Sequence, residues 1–249
     1  MARYRFDISY DGTAYAGWQI QPRHRTVQQL LQEAVGQITG EKAIIHGSGR
    51  TDSGVHARKQ VAHADLEGAI RPMLLRRGLN ALLPADIRVL QVKRAAPDFH
   101  ARRSAVGKEY RYFIWNGIIV PPFLRLYRTH VSEKLDARAM ADTAAVLVGR
   151  HDFAAFTANP NRVVESTVRN LTELSVRKHG MEIVIVARAD GFLYKMVRSL
   201  AGLLIRAGTG AVTPADARAI LASRVRTARV PTAPPEGLFL WDVVYGEDR

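Results

Sequence analysis

The chain has 249 residues, enough for one large domain or two of ordinary size, and its 47% hydrophobic fraction is normal for a globular protein. It contains no cysteine, which excludes structural disulfides, thiolate metal sites and a cysteine nucleophile. Lys and Arg total 36 against 23 Asp and Glu, a formal net charge of +13. Because Lys and Arg neutralise phosphates, this excess favours a polyanionic partner such as nucleic acid over a merely solvated surface.

The N-terminal residues alternate between apolar and polar positions like a strand and lack the apolar run of a secretory signal. No stretch approaches the ~20 apolar residues that a membrane span requires. We therefore expect a soluble, cytoplasmic protein with no membrane partner.

The first half of the chain predicts six elements. Apolar residues alternate from Tyr4 to Tyr10, as in a half-buried strand. Thr26, with Gln29 three residues later, predicts a capped helix start, and Gly40 predicts its end. The predicted order is a strand at 4–10, a helix at 27–38, strands at 43–46 and 60–66, a helix at 70–82 and a strand at 87–92.

The second half repeats this order. Tyr110, Tyr112 and Ile114 mark a strand, and a proline after Thr213 predicts an additional short helix at its tolerated first position. The other predicted elements are a helix at 135–147, strands at 168–176 and 183–187, a helix at 193–204 and a last strand at 238–245.

Two successive β-α-β-β-α-β units are typical of the ferredoxin-like split arrangement. We therefore expect the mixed α/β (α+β) class, with ferredoxin-like subdomains at 1–100 and 101–249 whose antiparallel sheets lie side by side. The pattern breaks at Ala95-Ala96-Pro97. Sheets in this arrangement would leave a central cleft, which is a usual place for a site.

Residues Gly47 to Ala57 are the most informative segment, because three glycines, an arginine and a carboxylate lie in a stretch that no regular element accommodates. Asp52 beside Gly54 also fits an ordinary turn. Arg50, two residues away, contacts a phosphate or holds the Asp52 carboxylate ionised, since a nearby cation lowers the pKa of an aspartate. An ionised carboxylate suits a nucleophile.

Three other interpretations of this segment and the nearby histidines are excluded by the sequence. An aspartic protease needs two Asp-Ser-Gly loops that share a proton, and only Asp52-Ser53-Gly54 is present. The Gly-Lys-Ser/Thr ending of a phosphate-binding P-loop is absent. His46, His56 and His63 match no zinc spacing and have no accompanying cysteine. The sequence therefore predicts neither a metal nor a cofactor.

Two further segments carry charge among apolar residues. Arginines and lysines interleave with aromatics from Phe99 to Tyr112, which suits a basic loop entering an amphipathic strand and also suits RNA. Met196 and Leu200 fall on the apolar stripe of their helix. Arg198 between them either extends to solvent or pairs with a buried anion, for which Asp52 is a candidate.

Together these segments are recognisable. Gly49 to Ala57 resembles the catalytic loop of the tRNA pseudouridine synthase A family, and the resemblance extends over nearly the whole chain. The other segments that carry it, in order, are Tyr10–Thr13, Gly17–Gln19, Phe99–Arg102, Lys108–Tyr112, Phe192–Arg198 and Glu236–Leu238.

The resemblance implies a cofactor-free, homodimeric isomerase that converts uridine to pseudouridine in the anticodon stem-loop of tRNA. It implies that Asp52 is the nucleophile, that Arg50 helps to displace the target base from its stack, and that Tyr110 stacks on the uracil. It also implies that Arg198 pairs with Asp52 and that Leu238 forms an apolar wall of the pocket.

Alternatives remain at this stage. A non-catalytic RNA-binding module has no need of Asp52, whereas an RNA-cleaving or glycosidic hydrolase needs a second catalytic carboxylate or a histidine pair, which we do not find. Whether the Asp52 carboxylate attacks C1′ or C6 of the nucleoside is open.

Overall fold

The computed structural model describes residues 1–158 and 165–246. The chain forms two compact units, Met1–Val106 together with Phe239–Arg249, and Gly107–Leu238. The sequence placed the division near residue 100 and the last strand in the second half. The structure differs on the last strand, which joins the first unit from Phe239 onward.

The first unit follows the predicted order of elements. Strand β1 is antiparallel to both β3 and β4. The opposite edge of β3 is shared by β2, which pairs antiparallel, and by the last strand β10, which pairs parallel. This pairing to β3 is why the last strand belongs to this unit. The elements are β1 (Ala2–Tyr10), α1 (Val27–Thr39), β2 (His46–Gly47), β3 (His56–Leu66), α2 (Pro72–Leu82), β4 (Ile87–Arg94) and β10 (Leu238–Tyr245).

Helix α1 begins and ends where the sequence predicts. The Thr26 hydroxyl accepts the N–H of Gln29 at 3.4 Å, and Gly40 leaves the helix with a φ of 73°. The strand expected at 43–46 is shorter, because side chains of α1 take the backbone groups of Ile45. Its N–H donates to the Gln32 side chain and its C=O accepts from the Gln28 side chain, at 3.1 and 2.7 Å.

The second unit contains an antiparallel sheet in the order β5-β9-β8-β7, with the short β6 parallel to β5. The predicted Thr213-Pro214 helix start is confirmed by a complete capping box with Asp216. Strands β6 and β7 are too short for a sequence pattern to reveal. The elements are β5 (Ala105–Trp115), β6 (Thr129–His130), α3 (Ala137–Ala145), β7 (Gly149–Asp152), β8 (Val168–His179), β9 (Glu182–Ala189), α4 (Met196–Gly208) and α5 (Pro214–Ser223).

The expected mixed α/β class is confirmed. In the first unit the helices and strands follow the predicted order, and in the second unit the predicted β5, α3, β8, β9 and α4 follow one another with the short β6 and β7 added. Among the described residues, no helix has both the length and the apolar character that crossing a bilayer demands.

A cluster of three histidines packs on the first unit's sheet. The His63 ring lies 5.1 Å from the His46 ring and 4.6 Å from the His100 ring, measured between centroids. His63 is buried, and its Nδ1 accepts the N–H of Ala101 at 3.1 Å. Burial, and then the neighbouring His100 and His46, lower the pKa of His63 to about 4. The ring is therefore neutral in the folded protein near neutral pH.

We expect this neutral ring to make stability depend on pH. Between pH 6.5 and 4 the unfolded chain binds a proton at His63 that the folded chain does not, so the stability is full above this window and decreases as the pH falls through it. In His63→Asn the side-chain oxygen still accepts from Ala101, and thermal unfolding followed against pH should show a shallower decline. His24→Asn, at an exposed ring, should match the wild type. Equal slopes for wild type and His63→Asn would contradict the assignment.

Candidate active site

The glycine-rich loop runs from the end of β2 to the start of β3 and lies against Trp18, which is buried with 1% of its surface exposed. A Cβ built on Gly47 would lie 2.6 Å from the Trp18 indole, closer than any real side chain approaches. Gly47 is therefore required for the loop to contact this ring.

Two N-terminal glycines also contact the loop at close range. A Cβ on Gly12 would lie 2.0 Å from the carbonyl oxygen of Val55, and one on Gly17 would lie 2.4 Å from that of Thr51. Gly17 also has a φ of +89°, which favours glycine. The backbone N–H of Trp18 donates to the Thr51 carbonyl at 3.1 Å. The segments around Gly12 and Gly17 thus pack directly against the backbone of the loop.

Asp52 begins a tight turn. The Val55 N–H donates to the Asp52 carbonyl at 3.2 Å, and Gly54 supplies the φ of 76° that the turn requires. The Gly54 N–H and the Ser53 hydroxyl both donate to the carbonyl of Tyr15, at 3.3 and 3.2 Å. The backbone around Asp52 is therefore fixed at several points.

The side chains of the two predicted loop residues differ in exposure. Asp52 is half-buried, whereas Arg50 is exposed. The loop therefore offers an anchored carboxylate and, two residues before it, an arginine that faces solvent. A half-buried carboxylate on a backbone held by several hydrogen bonds is a candidate nucleophile.

A buried polar layer lies beneath the loop, and the sequence interpretation missed it. The Tyr10 hydroxyl and the Thr51 hydroxyl are 2.8 Å apart, and burial raises the pKa of Tyr10 to about 12. Gln60 on β3 bonds to Ser48 and Gly49. The available signal was an amide directly before the apolar Val61 and Ala62 of a buried strand.

In the second unit, Tyr110 lies on β5, opposite Ala187 of β9. Its ring is buried and meets the Phe192 ring edge to face, with 5.1 Å between the centroids. Tyr112 is buried, and its hydroxyl bonds to Thr129 and to the Pro234 carbonyl at 2.6 and 2.9 Å.

Leu238 is positioned by the glycine that precedes it. The Phe113 N–H donates to the Gly237 carbonyl at 2.8 Å, and a Cβ on Gly237 would lie 2.6 Å from the Phe113 carbonyl and 3.1 Å from the Tyr112 ring. Leu238 itself is buried. Close packing of Gly237 thus fixes where the Leu238 side chain begins.

Arg198 lies in the first turn of α4, between the buried Met196 and Leu200. Its Nε donates to the Ala233 carbonyl at 2.7 Å, and the Ala233 N–H donates back to the Arg198 carbonyl at 3.0 Å. A Cβ on Gly202 would lie 2.1 Å from the Pro231 carbonyl. The segment at 231–235 is thus packed on α4 and orients the Arg198 guanidinium.

The positive charge of the basic and aromatic segment at 99–112 is partly neutralised. The buried Glu109 accepts hydrogen bonds from Arg111 and Arg188 at 2.6 and 2.8 Å. Arg102 and Arg103 are exposed, and they lie in a turn whose N–H groups donate to a histidine ring. Within 1–158 and 165–246, no group of three or more metal-ligating side chains is arranged to hold an ion.

Known proteins match this chain over most of its length. A family model described as tRNA pseudouridine synthase matches residues 8–102 and 143–246. A tRNA pseudouridine synthase A of Methylobacterium sp. (strain 4-46) is 44% identical over 99% of both chains. That of Brevibacillus brevis is 43% identical over 98% of this chain and all of its own, and that of Rhodospirillum rubrum is 46% identical over 96% and 86%.

The chain therefore belongs to the tRNA pseudouridine synthase family and is an enzyme of the isomerase class. The resemblance that the loop and its companion segments indicate is confirmed. Among solved structures, a chain of a Cbf5-Nop10-Gar1 complex covers 81% of this chain and 53% of its own length at 18% identity, with a TM-score of 0.32, too low to bear on the fold.

We expect Gly12→Ala to reduce both activity and stability. The added methyl group meets the Val55 carbonyl at 2.0 Å, so the loop backbone has to move. Overpacking of this kind costs about 1–3 kcal/mol. A displacement of about 1 Å lowers kcat/KM by roughly 100-fold. Steady-state kinetics and thermal unfolding measure the two effects.

Gly68→Ala is the matched control, because its Cβ would lie at an ordinary 3.7 Å from the Glu41 carboxylate. Wild-type kinetics for Gly12→Ala would show that the loop does not depend on this contact.

Proposed function

We propose that the enzyme converts uridine to pseudouridine in the anticodon stem-loop of tRNA, with Asp52 as the nucleophile. The observation that carries the proposal is the half-buried Asp52 in a turn packed against Gly12 and Gly17. The family supports the reaction class. The formal net charge of +13 supports a polyanionic substrate, because phosphate contacts with Lys and Arg dominate RNA affinity.

The proposed reaction is balanced without a cofactor. The Asp52 carboxylate forms a bond to C1′ or C6 of the nucleoside, and the N1–C1′ bond breaks. The uracil turns within the pocket, C5 bonds to C1′, and the carboxylate is released. C5 loses a proton and N1 gains one, so no oxidant, reductant or group donor is consumed. The protein must supply the nucleophile and retain the detached base.

The other residues receive roles around this step. We propose that Arg50, which is exposed on the loop, helps to hold the target base out of its stack, since unstacking costs a few kcal/mol. Tyr110, with its ring orientation set by Phe192, is proposed to stack on the uracil. By family resemblance we propose that Arg198 pairs with Asp52 and that Leu238 is an apolar wall.

The assembly and location follow from the family resemblance. We propose a homodimer that acts in the cytoplasm, where its tRNA substrate is processed. We propose that residues 1–100 and 101–249 are the two halves of a sequence repeat. The last strand of the second half pairs with β3 of the first.

Asp52→Asn should abolish pseudouridine formation. The amide has nearly the same shape but is not an anionic nucleophile, so we expect the rate to fall by about 10³-fold or more. The tRNA affinity should stay within about tenfold, because phosphate contacts supply most of it. Pseudouridine mapping of tRNA and a filter-binding titration measure the two quantities.

The control for Asp52→Asn is Asp142→Asn, the same change at an exposed position of α3, which should behave as wild type. Pseudouridine formed by Asp52→Asn at the wild-type rate would exclude Asp52 as the nucleophile. Such a protein would fit a role in RNA binding alone.

Replacement of Tyr110 separates stacking from hydrogen bonding. Base–aromatic stacking is worth about 1–3 kcal/mol, so Tyr110→Ala should lower kcat/KM by about 10- to 100-fold. Tyr110→Phe keeps the ring against Phe192 and should retain most of the activity. Steady-state kinetics on tRNA distinguishes the two variants. A loss as large in Tyr110→Phe as in Tyr110→Ala would assign the role to the hydroxyl instead.

A further inference from the structure

Gln60 is a fully buried amide directly beneath the catalytic loop, with none of its surface exposed. Its Oε1 accepts from the Ser48 hydroxyl at 2.6 Å, and its Nε2 donates to the Gly49 carbonyl at 3.0 Å. Ser48 is also fully buried. One side chain on β3 thus holds both residues that precede Arg50.

Tyr10 extends this contact to the other side of Arg50. Its hydroxyl lies 2.8 Å from the Thr51 hydroxyl. Thr51 directly precedes Asp52 in the chain. The Gln60 bonds to Ser48 and Gly49 and the Tyr10 bond to Thr51, which together we name the buried polar layer, therefore fix the loop on both sides of Arg50.

The chemistry of the layer argues against a role in packing alone. A buried amide gains nothing over an aliphatic side chain unless each of its polar atoms is bonded, and an unbonded one costs about 1–3 kcal/mol. The layer is satisfied only in one loop conformation, because Ser48, Gly49 and Thr51 must all be in place. It therefore selects a single backbone conformation for the loop that carries Asp52.

We propose that Gln60 and Tyr10 are positioning residues that set the direction of the Asp52 carboxylate. They act through the backbone of residues 48–51 and do not touch the substrate. The inference rests on the proposed role of Asp52. It assigns to two buried side chains a contribution to the rate of the chemical step and none to tRNA affinity.

The test compares Gln60→Met and Tyr10→Phe, which keep the length of one side chain and the ring of the other. Both should lower the single-turnover rate at saturating tRNA by about tenfold or more, because a small misplacement of a reacting group is costly. The Kd for tRNA should stay within about threefold of wild type, so the loss appears in kcat and not in KM.

The same unit offers a matched control for each change. Gln28 is a buried amide that accepts from the Ile20 N–H and donates to the Ile45 carbonyl, and neither bond involves the loop. Tyr4 is a buried tyrosine on β1 whose hydroxyl bonds to the backbone of Ile70. Gln28→Met and Tyr4→Phe should lower the melting temperature comparably and leave the single-turnover rate within about twofold.

Wild-type rates in Gln60→Met and Tyr10→Phe would overturn the inference, as would equal slowing by the two controls. If Gln60→Met does not fold, the Tyr10→Phe and Tyr4→Phe pair decides. An inactive Asp52→Asn beside fully active Gln60→Met and Tyr10→Phe would refute only the positioning role. An active Asp52→Asn would refute the proposed function itself.

Discussion

The contact between the N-terminal segment and the glycine-rich loop at 47–57 is the constraint on which the first unit depends. Gly12 and Gly17 meet the backbone of Val55 and Thr51 at distances that leave no room for a Cβ. Loops are ordinarily the mobile parts of a protein. Here the loop is packed backbone against backbone, so its conformation is set by the same core that holds β1 and β3 together.

This packing fixes the backbone that carries the half-buried Asp52. Glycine contacts set how closely the loop approaches the segment after β1, while hydrogen bonds of Tyr10 and Gln60 hold Thr51 and Gly49. The two kinds of contact are complementary, because van der Waals packing has little directional preference and hydrogen bonds have a strong one. Together they define the backbone position of Asp52.

The sequence predicts the order of the longer elements because the apolar periodicity is strong and the caps are clear, as at Thr26 and Gly40. It fails where side chains replace strand partners, as at Ile45, and where a strand pairs with a distant part of the chain, as β10 does. Periodicity reports which face is buried, but it carries no information on the partner strand.

The residues of the candidate site likewise fall into a group that the sequence predicts and a group that it does not. The loop motif predicts Asp52 and Arg50, since glycine density and charge are visible in the sequence. The buried polar layer is not visible, because Tyr10 and Gln60 look like ordinary strand residues until the fold places them next to Thr51 and Ser48.

In the second unit, glycine contacts and backbone hydrogen bonds also fix the segments next to Arg198 and Leu238. Arg198 and Leu238 each lie at a point where irregular backbone meets a regular element. A glycine without room for a Cβ secures each junction, Gly202 against Pro231 and Gly237 against Phe113. A backbone bond closes each one as well, through Ala233 and through the Gly237 carbonyl. Arg198 and Leu238 therefore each lie at the start of a regular element, next to irregular backbone that a glycine contact fixes, as Gly12 and Gly17 fix the loop of the first unit.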